Sequence, residues 1–75
     1  SGPLRTAIAN EQLEQLRWCM DKLSYEQKEV VALRLHGDLK FREIAKLQQI
    51  SVKTAISRYR YGLDKLRSLL DGEVI

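Results

Sequence analysis

Two helical registers separated by only a few residues constrain this chain more than any other feature of its sequence. Phe41, Ile44, Ala45 and Leu47 recur at helical spacing, and Ile50 and Ser51 then interrupt them. Val52, Ile56, Tyr59, Leu63, Leu66 and Leu70 resume the pattern in alternating steps of four and three. A corner this short has no room for a strand, so the stretch predicts two helices meeting at an angle, a helix-turn-helix.

In such a unit the first helix holds the second away from the body, so that the polar face of the second can enter a DNA major groove. A helical wheel at about 100° per residue identifies that face. The apolar stripe gathers Val52, Ala55, Ile56, Tyr59, Leu63, Leu66 and Leu70. The opposite side carries Lys53, Thr54, Ser57, Arg60, Tyr61, Asp64 and Ser68, flanked by Arg58 and Lys65. Every amphipathic helix has a solvated face, so the pattern alone leaves an ordinary wet surface as the competing reading.

The charge distribution favours the first reading. Residues 11–29 carry three cations against five anions, a net of −2, whereas residues 51–67 carry five cations against Asp64 alone, a net of +4. The formal charge of the whole chain is only +3, so its basic character is concentrated on the candidate recognition element. That is the electrostatic footprint of phosphate contacts, whose strength falls with salt.

The remaining sequence predicts two more helices in a single small all-α domain. Leu13, Leu16, Met20 and Leu23 follow one face of a first helix over about 10–23, with Asn10 as its N-cap and Trp18 covering the edge of the core. Ser24-Tyr-Glu-Gln27 fits a capping box for a second helix over 24–36, which carries Val30, Val31, Leu33 and Leu35 and stops at Gly37, a residue able to turn left-handed. The third helix is expected over 40–48, capped by Asp38, and the fourth over 51–70, with Ser51 as N-cap and Ile50 folded back on Ala55 as a hydrophobic staple. Leu13, Leu16, Met20, Leu33, Ile44, Leu47, Val52, Tyr59 and Leu63 are expected to share one core. Ser1-Gly2-Pro3 reads as the remnant of a cleaved expression tag, leaving residues 4–75 as the domain.

Several function classes find no support. No apolar run approaches the roughly 20 residues needed to span a bilayer, so no membrane is expected as a partner. Cys19 is the only cysteine and His36 the only histidine, which precludes an intramolecular disulfide or a thiolate metal cluster. Cys19, beside Leu16, Met20 and Leu23, reads as a small buried hydrophobe, and His36 as a cation placed at a helix end. No paired catalytic groups, phosphate-binding glycine loop or metal-ligand spacing is present, so neither an enzyme nor a cofactor is expected.

The run from Leu23 to Leu35, the Phe41-Arg-Glu-Ile-Ala45 and Ile50-Ser-Val-Lys-Thr54 segments, and the stretch from Ser57 to Arg67 occur in an order and spacing that resemble a known family. The chain looks like the C-terminal domain, region four, of extracytoplasmic-function sigma factors of bacterial RNA polymerase. The resemblance covers residues 11 to 68. It implies a four-helix cytoplasmic domain that binds double-stranded promoter DNA at the minus-thirty-five element, contacts the β flap of the polymerase core and is restrained by an anti-sigma factor.

The resemblance also assigns residues. Lys53, Thr54, Ser57 and Tyr61 fall at positions that face bases or nearby phosphates, and Arg58 and Arg60 at positions near the DNA backbone. The chain departs from the family pattern at Ser24, where a proline is usual, at Gln49 in place of a corner glycine, at Ile56 in place of lysine and at Tyr61 in place of arginine. If the corner needs positive φ, Gln49 costs about 1 kcal/mol there. The output domain of a response regulator shares the Glu-Ile-Ala and Ile-Ser-Val-Lys-Thr segments, and a protein-interaction module docking acidic partners through its basic helix is the alternative outside DNA binding.

Overall fold

The computed structural model describes the backbone of residues 3–72 and the side chains of residues 10–72, and the described residues form four helices and no strand. These are α1 (Pro3–Asp21), α2 (Tyr25–Leu35), α3 (Phe41–Gln48) and α4 (Val52–Leu70). Three of the four agree with the expected boundaries to within a residue or two at each end. The first does not: Asn10 lies inside α1 instead of capping it, and the helix begins at Pro3. Leu4 to Ala9 are mostly good helix formers, and proline suits a first helical position because its missing N–H would have had no partner there. The turn closing α1 is tight, with Lys22 N–H donating to Cys19 O at 3.0 Å and Leu23 N–H to Met20 O at 3.1 Å.

Each of the other three helices packs on α4, and α2 also packs on α3. The buried side chains form two groups. Cys19 from the end of α1 and Leu23 from the turn after it meet Val31 and Leu66, while Val30, Ile44, Ala45 and Ala55 fill the space between α2, α3 and the start of α4. Tyr59 packs against both groups and joins them. Its ring meets Phe41 nearly edge-on, with centroids 5.3 Å apart and planes at 69°, a favourable aromatic geometry. Gly62 explains how α2 and α4 come so close: a Cβ there would lie 2.9 Å from Val31 Cγ2.

The expected core needs correction at four positions. Met20, Leu33, Ile44, Tyr59 and Leu63 do pack inside. Leu13, Leu16, Leu47 and Val52 are exposed, Leu47 to 64%. Glu11 to Trp18 are all exposed, and Leu13 and Leu16 line an open cleft with Met20, Asp21 and, from α2, Lys28 instead of entering the core. Leu47 and Val52 flank the corner between α3 and α4 on its outer side. Trp18 is also more exposed than expected, at 54%, with the Lys22 ammonium 4.8 Å from its ring centroid. Cys19 is buried, as expected.

Candidate nucleic-acid interface

The corner that aims α4 is built from three consecutive residues. Gln49 adopts the left-handed conformation, φ 57° and ψ 47°, and donates its N–H to Lys46 O at 3.2 Å. Ile50 N–H reaches back to Ala45 O at 3.0 Å, which completes a Schellman ending and satisfies two carbonyls that α3 leaves open. Ser51 is extended, and its Oγ accepts from Thr54 N–H at 3.0 Å while donating to Thr54 Oγ1 at 2.9 Å. Ile50 packs into the group that contains Ala55, the expected staple.

At the other end of α3 the details differ from expectation. Lys40, not Asp38, is the N-cap, and the Glu43 carboxylate accepts from its N–H at 2.8 Å. Lysine has no acceptor, so the return half of a capping box is not made. Asp38 takes the left-handed conformation, φ 54°, that Gly37 was expected to take. Gly37 is needed for a different reason: a Cβ there would lie 2.8 Å from Leu33 O. Arg34 ties this loop down, donating to Leu39 O at 2.9 Å with its guanidinium over the Phe41 ring.

The six residues singled out in the sequence all lie on the first half of α4, in differing environments. Lys53, Arg60 and Tyr61 are exposed, Tyr61 to 66%, on the side opposite the buried Ala55, Gly62 and Leu66. Ser57 is half-buried between them in the same row, and Thr54 is half-buried with its hydroxyl engaged by Ser51. One turn further, Asp64 is exposed in the same row and ends the cationic segment. No acidic residue stands in the first turn of α4, so the positive end of the helix dipole keeps its full effect beside Lys53.

Arg58 is turned toward α3. It is half-buried, and its NH1 donates to Gln48 Oε1 at 3.0 Å. Periodicity gave no signal for Gln48, because its partners are far away in sequence. Its Nε2 donates to Glu29 Oε1 at 2.9 Å and Glu26 O at 3.2 Å, both on α2. Apolar periodicity does not single out Arg42 and Lys46 either. They are exposed cations four residues apart on α3, and that spacing on the first helix of a helix-turn-helix was the available signal.

Among the described residues no three or more His, Cys, Asp or Glu gather into a metal-binding group, and no helix is long and apolar enough to cross a membrane. What the geometry does provide is a capped helix, anchored by its neighbours along one side and offering a cationic row on the other. That arrangement defines a DNA-binding domain of the helix-turn-helix class. The model of the family described as Sigma-70, region 4, matches residues 19–68, and the chain belongs to that family. The match starts at Cys19, the first buried side chain among the described residues of α1, and takes in α2, α3 and nearly all of α4. Comparisons with curated proteins and with solved structures gave no match. The domain is therefore a sigma-factor module for promoter DNA that acts with RNA polymerase, and its family is a regulatory one, not a catalytic one.

Proposed function

We propose that this domain reads the minus-thirty-five element of a bacterial promoter, in the cytoplasm, as region four of an extracytoplasmic-function sigma factor. The observation that carries the reading is the row of exposed Lys53, Arg60 and Tyr61 with half-buried Ser57 between them, backed by a buried stripe and aimed by the Gln49 to Ser51 corner. With α4 in a major groove, Lys53 and Ser57 reach base edges, and Tyr61 lies one turn further on. Lysine donates to guanine O6 and N7, and serine donates or accepts. Thr54 and Arg60 lie where the groove walls bring phosphates close, and the uncompensated start of α4 favours a phosphate as well. Arg58 stands at the edge of this set nearest α3.

Outside the DNA, the polymerase β flap and an anti-sigma factor are the proposed partners. An anti-sigma factor would act by covering the α4 row or the groove beneath it. The decisive experiment is selection of bound sequences from a random duplex pool. Enrichment of one short motif, contacted through α4, is the expected result. Recovery of no motif, with retention of acidic protein partners, would favour the interaction-module reading.

A further inference from the structure

We propose that Arg58 is a positioning residue: with Gln48 it forms a polar strut that locks α4 against α3 and α2 at the angle DNA reading requires. This rests on the proposed reading of α4, and it gives Arg58 a task different from that of Arg60. The geometry is a chain of hydrogen bonds crossing three helices. Arg58 NH1 on α4 donates to Gln48 Oε1 at 3.0 Å, and Gln48 Nε2 donates to Glu29 Oε1 at 2.9 Å and Glu26 O at 3.2 Å on α2. Glu29 is itself held from its other oxygen, Oε2, which accepts from Tyr25 Oη at 3.0 Å.

Gln48 is the hub. Its amide both accepts and donates, and a primary amide has no third kind of group to offer. It is also the last residue of α3, directly before left-handed Gln49, so whatever fixes Gln48 fixes the place where the chain turns into α4. Arg58 and Gln48 are both half-buried, where such bonds compete less with water than at a fully exposed surface. A guanidinium also holds its donors in a rigid fork, which suits a fixed orientation. On the wheel, Arg58 lies closer to buried Ala55 than to Lys53, while Arg60 lies beside Lys53. A strut through Arg58 therefore sets the pitch of the row that Arg60 shares.

The test compares Arg58→Ala, Gln48→Ala and Arg60→Ala, with and without DNA. Without DNA, the strut predicts that Arg58→Ala shifts the Gln48 side-chain amide resonances. It also predicts that the Arg58→Ala and Gln48→Ala effects on unfolding are non-additive, as expected for residues sharing an interaction. With DNA, affinity is measured against salt on a selected duplex and a scrambled one. Arg60→Ala should reduce the salt slope by about 0.9. Arg58→Ala should leave the slope unchanged and reduce the preference for the selected duplex by several-fold. Gln48→Ala, which removes no charge, should reduce the same preference. A slope loss for Arg58→Ala equal to that of Arg60→Ala, additive unfolding effects, or an unchanged preference in Gln48→Ala would each overturn the strut. If the unaltered domain shows no preference between duplexes, the reading of α4 fails, and the DNA-free measurements still decide whether the strut exists.

Discussion

Gln49 occupies a conformation that glutamine does not favour, and the corner depends on it. A left-handed backbone costs an L-residue with a Cβ about 1–2 kcal/mol relative to right-handed, whereas glycine pays mainly a loss of chain entropy. Gln49→Gly should accordingly stabilise the domain by roughly 0.5–1 kcal/mol, and a gain of 1 kcal/mol raises Tm by about 4–8 °C in a domain this small. Denaturant unfolding checks this, and a loss of stability would mean that the glutamine side chain makes a contact worth more than the strain. Gly62 is the opposite case. Gly62→Leu would drive side-chain atoms into Val31, whose Cγ2 is already 2.9 Å from where a Cβ would sit, and overpacking of this kind costs about 1–3 kcal/mol. Asp21 gives a pH signature. The Lys28 ammonium, 2.8 Å from its Oδ1, holds the Asp21 carboxyl below its ordinary pKa through hydrogen bonding and charge. A depressed folded-state pKa means that the stabilisation is complete above the unfolded carboxyl pKa and disappears as pH falls through the folded one. Lys28→Met should therefore raise the Asp21 titration midpoint seen by NMR, and its stability deficit should vanish in acid. The capping pairs Ser24 with Gln27 and Ser51 with Thr54 were legible in the sequence because each is a local, three-residue relation. Gln48 and Gly62 were not, because what they meet lies on another helix.

Among the elements, α1 differs most from its expectation, and the reason is general. Helical periodicity shows that a helix has an apolar side, but it does not show whether another helix lies beside it at that level. Leu13 and Leu23 belong to the same stripe by spacing, yet Leu23 is 7% exposed and Leu13 is 58% exposed. Leu23→Ala should cost about 2–5 kcal/mol, the usual range for truncating a buried leucine. Leu13→Ala should cost less than about 0.5 kcal/mol, as for a surface substitution. Amide exchange should divide along the same line, with residues 10–17 exchanging through local fraying and Val30, Val31 and Ile44 only through opening of the core. Slow exchange at residues 10–17 in the isolated domain would mean that this part of α1 is covered in solution, by a second copy or by some other surface. The helix-turn-helix was far more legible than α1. Its second helix has partners along most of one side, and its corner residues announce themselves: Ser51 as a cap, Ile50 as a staple. Its exposed flanks, Leu47 and Val52, were misread for the same reason as Leu13.

At the scale of the whole domain, DNA binding depends on how its cations are divided between two helices. Lys53 and Arg60 stand on the free face of α4, and Arg42 and Lys46 on the exposed side of α3. In a helix-turn-helix the first helix crosses the sugar-phosphate backbone while the second enters the groove, so Lys53, aimed at base edges, should do different work from Arg42, Lys46 and Arg60, which stand by phosphates. Contacts from α3 to phosphate carry no sequence information. Arg42→Ala and Lys46→Ala should each weaken a selected duplex and a scrambled one alike and reduce the slope of log affinity against log salt by about 0.9. Lys53 adds to the same electrostatic sum, but a base contact also discriminates, at about 1–3 kcal/mol for the affected pair. Lys53→Ala should therefore weaken the selected duplex more than the scrambled one, and selection repeated with this variant should relax at one position of the motif. The measurement is affinity for both duplexes across a salt series with all four variants, including Arg60→Ala. If Lys53→Ala lowers both affinities equally, α4 acts only as an electrostatic anchor, and base reading must be sought elsewhere on the domain. If Arg42→Ala and Lys46→Ala leave the salt slope untouched, α3 does not cross the phosphate backbone, and α4 approaches the groove from the other side.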